Sequence, residues 1–529
     1  AHGQFFVIKE TGGRGIVSQT EGDRWQITVS DSDFKTPDWL KGGIIYQIFP
    51  DRFFKSGEEK KGVPDDRFLC EDWSKQPEFR QNGELCRLGN DYYGGDLKGI
   101  EQKLPYLKDL GVSCIYLNPI FEAHSNHRYN TADYMKIDPL LGDEEDLKDL
   151  CKAARKNGIA IILDGVFSHT GDDSIYFNKE KRYGNGGAYN DFGSPYHNWY
   201  KFNRFPDDYS AWWGVPSLPE TDEENDNYND FITGENGVIR HWLRAGISGW
   251  RLDVADELPD RFLDNIRAAV KAENKDAFLL GEVWEDASNK ISYGARRRYL
   301  CGRQLDSVMN YVFAVAIIDF IRNSGGEKLR ENIMSVMENY PRDTINLLMN
   351  HIGTHDTARA ITMLGRFDDY IGDREWQSKS RLSSEEFALG VKRLKLAAIL
   401  SYTLPGVPSL FYGDEAGIEG FGDPFCRATY PWGKENKKLL GFYRALGKTR
   451  KNSPAFKDGD FVPFICGGDL FSFVRENKKT KVFIAVNRGE TAAQVALPED
   501  FSKCKSVLGA SVESGNISLP PYGFAVVKG

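Results

Sequence analysis

The sequence predicts an α/β chain built on a (β/α)8 TIM barrel. A loop domain is inserted after the third strand, and an antiparallel β-sandwich domain closes the C-terminal end. Three observations point there. Eight short apolar runs rich in β-branched residues recur between stretches of helical periodicity, as buried parallel strands require. Residues 171–229 break that rhythm with Gly, Asn, Asp, Tyr and Trp, and so long an insertion in a compact domain is usually functional. Beyond about Asn452 the helical pattern gives way to short strands and turns. An open doubly wound sheet is the competing arrangement of eight β-α units.

Taken in order, residues 1–38 hold strand-like runs at 5–8 and 24–29 and read as an N-terminal β remnant or lead-in. The barrel is expected over 39–451, with strands at 44–49, 112–117, 159–167, 247–254, 277–283, 307–313, 345–351 and 408–412. Leu147, Leu150, Cys151 and Ala154 recur at helical spacing before the third strand, and Gly158 stops that helix. Leu263, Ile266 and Val270 make the corresponding stripe before the fifth. The inserted domain occupies about 170–229. The tail, 452–529, carries strands such as 470–474 and 481–486.

Composition narrows the function. With 529 residues, 40% of them hydrophobic and 27% charged, the chain has the make-up of a packed globular protein. Its 68 Lys and Arg against 77 Asp and Glu give a net charge of −9, the wrong sign for a nucleic-acid partner. The run Arg296-Arg297-Arg298 reads as a solvated helix end. No eighteen-residue apolar stretch is present to span a membrane. Eight cysteines show no C-x-x-C spacing; Cys114 and Cys151 sit in core patterns, while a Cys70–Cys86 pair across a loop is compatible with their spacing but not decided by it. The chain begins at Ala1 and shows no signal peptide, which leaves its compartment open.

Barrel enzymes carry their chemistry at the C-terminal ends of the strands. There the third strand ends Asp164-Gly-Val-Phe-Ser-His169, the fourth Gly249-Trp-Arg251-Leu-Asp253, the fifth Gly281-Glu282-Val-Trp284 and the seventh His351-Ile-Gly-Thr-His355-Asp356. Each group alone has an ordinary reading, such as an Arg251–Asp253 ion pair or a satisfied core histidine. Their coincidence on four strand ends predicts one pocket. Carboxylates with His and Arg between them, without a Ser or Cys nucleophile motif, suit glycosidic cleavage by an ionised and a protonated carboxyl. Arg251 lies two residues before Asp253, so both face one side of the strand, where the guanidinium is expected to keep Asp253 ionised. Aromatic residues crowd the insertion at Tyr196, Trp199, Tyr200, Tyr209, Trp212 and Trp213. They form either the insertion's own core or a stacking surface for sugar rings, with Trp212 and Trp213 favoured for stacking because Gly214 and Pro216 imply an exposed turn.

At these residues the sequence closely resembles glycoside hydrolase family 13, the α-amylase family, and most of all its neopullulanase, cyclomaltodextrinase and amylopullulanase-like members. The resemblance rests on GIIYQIFPDRF, YLNPIFEAHSNHRYNTADY, DGVFSHTGDD, GWRLDVADE, GEVWEDAS, GTHDT and GVPSLFYGDEAG, in family order from about Gly43 to Gly417. It implies a retaining mechanism, with Asp253 as nucleophile, Glu282 as acid and base, and Asp356 holding hydroxyls in the transition state. His169, Arg251 and His355 would bind the same glucose, with Tyr129 stacking on it and His127 and Asp164 alongside. Trp284 belongs to the same site.

Departures from the family pattern set further expectations. Ser168 stands where many members have a calcium-binding Asn. Gly94, Gly95 and Asp96 match the Gly-Gly-Asp segment of a second calcium site, oxygen-rich as a hard cation requires, but FFKSGEEKKG lacks its Asn and Asp ligands. Structural calcium is thus an expectation resting on Gly94 and Asp96, and no cofactor is required for the chemistry. Leu218-Pro219-Glu220-Thr221-Asp222 and Glu285 alter the acceptor side, and the debranching segment YNWGY is absent. The expected function is retaining, endo-type hydrolysis of α-1,4-glucosidic bonds in starch, maltooligosaccharides and pullulan, with some α-1,6 cleavage compatible. An amylopullulanase or a transglycosylase on the same scaffold is the alternative, and a non-catalytic glucan-binding protein the distant one. The expected partner is an α-glucan, with oligomeric state open; the resemblance implies a bacterial-type enzyme, extracellular or cytoplasmic.

Overall fold

The computed structural model describes residues 4–10, 15–83, 85, 87–501 and 504–529. Eight parallel strands form its central sheet: β1 (Ile45–Ile48), β2 (Cys114–Leu117), β3 (Ala160–Gly165), β4 (Gly249–Leu252), β5 (Phe278–Gly281), β6 (Ser307–Val308), β7 (Met349–His351) and β8 (Val407–Phe411). They pair in the order β6-β5-β4-β3-β2-β1-β8-β7. A parallel bridge from Met309 to Met349 joins the two ends, so the sheet is a closed barrel and not the open competitor.

The apolar runs are continuous because both faces of each strand are buried. Ile45, Cys114, Tyr116, Ile162, Phe278, Leu280 and Met349 pack together inside the barrel. The alternating residues Tyr46, Ile115, Leu117, Ile161, Leu163 and Leu279 pack outward in the larger core shared with the helices. The helix Glu144–Lys156 starts at an Asp143–Asp146 capping box, and Gly158 beyond it adopts φ 72°.

Two expectations of regular alternation fail. No helix lies between β5 and β6, where a loop with a two-residue hairpin (Ile291–Ser292 and Ala295–Arg296) makes the crossover. Strand β6 is also far shorter than 307–313, because the Asn310 side chain accepts the Phe313 N–H and caps the helix Tyr311–Arg322. In the N-terminal segment, Phe6–Lys9 pairs with Gly15–Ser18, but 24–29 is not a strand. It is tied to the barrel through side chains instead: Thr28 donates to the Asn339 carbonyl, and the Gln26 amide donates to Ser288. Nor is the arginine run a solvated helix end: Arg297 is buried against the Leu258 carbonyl, and Arg298 pairs with Asp264 at 2.6 Å. The seven described cysteines are free thiols, and Cys86 lies outside the described residues.

The tail is a sandwich of antiparallel strands: β9 (Asp460–Gly467), β10 (Leu470–Glu476), β11 (Lys481–Asn487), β12 (Ala493–Ala496), β13 (Lys505–Gly509), β14 (Val512–Glu513), β15 (Asn516–Leu519) and β16 (Phe524–Lys528). One sheet runs β9-β10-β11-β16-β13 and the other β12-β15-β14. Phe483, Val495, Phe501, Ile517, Leu519 and Val527 fill the space between them. At the joint with the barrel two arginines are buried and form no salt bridge among the described residues. Arg475 donates to the carbonyls of Thr403 at 2.7 Å and Gly459 at 3.1 Å, and Arg450 to those of Gly43 at 2.9 Å and Gly406 at 2.5 Å. Burial lowers both to about 9.

Candidate active site

The ends of β3, β4, β5 and β7 bring their polar residues together, with the insertion forming one wall. The register places Arg251 on β4 between Asp164 on β3 and Leu280 on β5. Its guanidinium is fully buried and reaches three carboxyl groups. Nη1 donates to Asp164 Oδ1 at 2.7 Å and to Asp253 Oδ1 at 2.6 Å, while Nη2 lies 2.8 Å from Glu282 Oε2. Glu282 Oε2 also accepts the Val254 N–H at 3.0 Å. Val254 has φ 38°, a strained conformation for a β-branched residue, next to Asp253. Glu282 Oε1 accepts from the Trp284 indole and the Tyr311 hydroxyl, both at 3.3 Å. Trp284 stacks on Tyr311 at 4.3 Å and leaves half its surface open.

On the opposite side His355 lies 3.0 Å from Asp356 Oδ2, and Arg427 donates to Asp356 Oδ1 at 3.3 Å. The hydrogen bonds fix the His355 tautomer. Gln47 Nε2 donates to Nδ1 at 2.8 Å, so Nε2 carries the proton and faces the Tyr129 hydroxyl at 2.6 Å. That hydroxyl donates in turn to Asp164 Oδ2 at 2.8 Å. The chain Gln47–His355–Tyr129–Asp164 therefore ends on the carboxylate that anchors Arg251. His127 accepts the Tyr129 backbone N–H, and His169 bonds Ser168 through Nδ1. His169 Nε2 is buried and makes no hydrogen bond within 3.5 Å among the described residues, and the residue lines the cleft beside Trp212.

One cation among three buried carboxyl groups does not neutralise them all. Burial pushes the Asp253 carboxyl well above the ordinary carboxylate range, with Arg251 pulling the other way. Asp164 is raised by burial against the same opposition. Arg251 favours the ionised form of Asp253, as the sequence suggests, but the guanidinium is divided among three carboxyl groups and opposes the effect of burial on Asp164 and Asp253 only in part. Asp356 is also raised by burial. Burial drives His127 down to about 3 and His169 to about 4. Imidazole nitrogen shifts should therefore show both rings neutral from about pH 8 to about pH 5; a titration near the ordinary value of 6.5 would contradict this burial.

The insertion settles the reading of its aromatics. Trp199 and Tyr200 are buried in the large core shared with the barrel, where Trp199 packs against Tyr176, Tyr196 and Phe231. Trp212 and Trp213 line the cleft instead, and Trp213 is 78% exposed. A residue the sequence reading passed over holds both. Glu257 accepts the Trp212 indole N–H at 2.7 Å on one carboxylate oxygen and that of Trp213 at 2.8 Å on the other. It lies four residues after Asp253, at the end of GWRLDVADE, and that proximity is the signal the sequence offers. Asp423 and Arg427 were also missed, because they lie in the loop well past the end of β8, outside the motif GVPSLFYGDEAG.

The proposed calcium donors do not fit a hard cation. Asp96 caps the helix Leu97–Gln102 through the Gly99 N–H, accepts from Ser56, and pairs with the Lys60 ammonium at 2.8 Å. Gly94 donates its N–H to Asp51. Among the described residues no group of three or more His, Cys, Asp or Glu is placed to hold a metal.

The family profile described as "Alpha amylase, catalytic domain" matches residues 47–456. The chain belongs to the alpha-amylase family, glycoside hydrolase family 13. This alpha-amylase family chain is 39% identical to an amylopullulanase of Thermoanaerobacter thermohydrosulfuricus, over 94% of its own length and 36% of the relative's. It therefore spans about a third of that protein. It is 33% identical to a cyclomaltodextrinase of Geobacillus thermopakistaniensis, covering 93% of the chain and 78% of the relative. Among solved structures it is similar to the cyclic alpha-maltosyl-(1→6)-maltose hydrolase of Arthrobacter globiformis, with TM-score 0.77 and 28% identity, covering 93% of this chain and 99% of that one. No helix among the described residues is long and apolar enough to cross a membrane.

Proposed function

We propose that the chain hydrolyses α-1,4-glucosidic bonds in starch-like glucans, maltooligosaccharides and pullulan, with retention of configuration and endo-type action. The observation that carries this reading is that Asp253 and Glu282 share one guanidinium. Such sharing favours the separation of about 5 Å used by retaining glycosidases over the roughly 6.5–9.5 Å of inverting ones. Asp253 attacks the anomeric carbon and forms a β-glucosyl-enzyme ester while Glu282 protonates the departing oxygen. Glu282 then takes a proton from the water that releases the sugar. Asp356, with His355 and Arg427 behind it, binds hydroxyls of the distorted ring. His169 offers its Nε2, Tyr129 and His127 flank the same sugar, and the reaction needs no cofactor.

The acceptor side follows from Glu257. By fixing two indoles it presents a rigid stacking surface where the leaving sugar sits. Glu257→Ala should raise KM for maltopentaose about threefold to tenfold and leave kcat on an aryl maltoside nearly unchanged. Equal KM in the two proteins would remove this role. A second reading, amylopullulanase, is favoured by the 39% identical relative of that name.

The test is a chromatographic product profile from pullulan and soluble starch in parallel. Panose from pullulan supports α-1,4 cleavage, and maltotriose moves the reading to α-1,6 cleavage. Products longer than the substrate, formed at high maltotriose concentration, favour transglycosylation. No release from either glucan overturns the proposal.

A further inference from the structure

A second cavity, of about 550 Å³ beside the roughly 610 Å³ of the catalytic cleft, opens on the same end of the barrel. The loops after the neighbouring strands β7, β8 and β1 build it. The loop after β8 is the wall between the two spaces. Asp423 and Arg427 face the catalytic cleft, whereas Glu419, Thr429 and Trp432 line the second cavity.

Its lining combines rings and amides. Phe54, Trp73, Phe425 and Trp432 supply the rings, with the Lys103 ammonium over one face of Phe54 and of Trp432 and Lys55 over one face of Trp73; Gln76 and Gln377 supply the amides. Both indoles are held in place: Trp73 donates its N–H to the Tyr430 carbonyl at 2.9 Å, and Trp432 to the Phe53 carbonyl at 2.6 Å. Each amide is anchored at one end. Gln76 accepts from Arg381 at 2.7 Å, and Gln377 donates to the Gly372 carbonyl at 2.8 Å, which leaves the other end of each to meet hydroxyls. The charged groups of the inner lining already have partners within the protein. Glu419 accepts the Leu382 N–H at 2.8 Å, and Arg381 is committed to Gln76 and to the Ser378 and Ser380 carbonyls. Lys55, Lys75 and Lys434 stand exposed at the rim. Fixed ring planes with hydrogen-bonding amides beside them suit a neutral polyhydroxylated ring better than an anion or a purely apolar ligand.

We infer that this cavity is a second α-glucan-binding site, which holds a stretch of the polymer whose neighbouring stretch is being cleaved across the β8 loop. The inference rests on the proposed glucanase function for its choice of ligand. Such a site acts on long substrates only. A maltotriose molecule in the catalytic cleft does not reach it, while a starch chain engages both and gains in effective concentration.

The full chain, Trp73→Ala and Gln76→Ala are compared in two assays: turnover of maltotriose, and retardation in a native gel containing soluble starch together with KM for that starch. Removing one stacking ring should raise KM for starch about fivefold and reduce retardation, with kcat/KM for maltotriose within about twofold of the parent. Unchanged starch KM and retardation in a Trp73→Ala protein that still cleaves maltotriose overturns the inference. Should Trp73→Ala lose maltotriose turnover through misfolding, Gln76→Ala decides, because it leaves both indoles in place. There, a weakened starch interaction supports the site and an unchanged one rejects it. A parent chain that cleaves neither substrate refutes the proposed function separately, and retardation of that parent compared with the two variants still reports on the second cavity.

Discussion

Asp253→Asn is expected to lose at least about 10⁴-fold in kcat and yet melt at the same or a higher temperature than the parent. The loss follows from removing the group that attacks the anomeric carbon. The stability follows from the geometry around Arg251. In the parent, burial raises the Asp253 carboxyl above its unfolded value of 3.8. A carboxyl raised in this way favours the folded state at low pH and gives up that contribution as pH rises through its folded value. At pH 8 the ionised carboxylate is therefore a burden on the fold, while at pH 4 it is not. A neutral asparagine of the same shape removes that burden and leaves Arg251 with two carboxyl partners. The rise in melting temperature should be larger at pH 8 than at pH 4. Near-parental turnover in purified Asp253→Asn would refute the assigned nucleophile, and a lower melting temperature at pH 8 would refute the electrostatic account.

The opposite substitution should be severe. Arg251→Met keeps the volume but deletes the only cation among the described residues that touches Asp164, Asp253 and Glu282. Removing one partner of a buried ionic group costs about 3–5 kcal/mol, because the remaining charges are left uncompensated. Denaturant titration at pH 8 should show a loss of that size. At pH 5 the loss should shrink, since Asp164 and Asp253 are raised and take up protons more readily once the guanidinium is gone. Arg251→Lys should recover part of the stability and little of the activity, because an ammonium cannot reach three carboxyl groups in the guanidinium's planar fork. A loss below about 1 kcal/mol in Arg251→Met at pH 8 would mean that the carboxyl groups find compensation elsewhere.

Much of this arrangement was legible in the sequence. Buried parallel strands write themselves as unbroken apolar runs, so all eight were located, and the catalytic groups stood out as polar residues at the ends of those runs. What escaped reading is equally physical. Strand β6 keeps two residues because Asn310 caps a helix where the apolar run appeared to continue, and such a run fits a helix and a strand alike. Glu257 was marked only by its nearness to Asp253, because its role depends on two indoles more than forty residues earlier in the chain. The surroundings of Asp253 were legible only in part for a similar reason. Adjacent residues show that Arg251 faces it, but only the fold shows that the same cation also serves Asp164 and Glu282. Asp423 and Arg427 lie in a loop well past the end of β8, and no local pattern separates them from other surface charges.

The arginines at the joint between sandwich and barrel bear on how the chain comes apart. Arg475 on β10 satisfies the carbonyl that ends the helix before β8, and Arg450 ties the last barrel helix to the chain just before β1 and to the turn entering β8. A cut placed near Asn452 would strip Arg475 from Thr403 and lay bare the apolar faces of Phe456 and Phe471, which belong to the barrel's own core. The sandwich is in this sense the floor of the barrel and not a tethered passenger. Heating should melt both in one transition, and the barrel expressed alone should be insoluble.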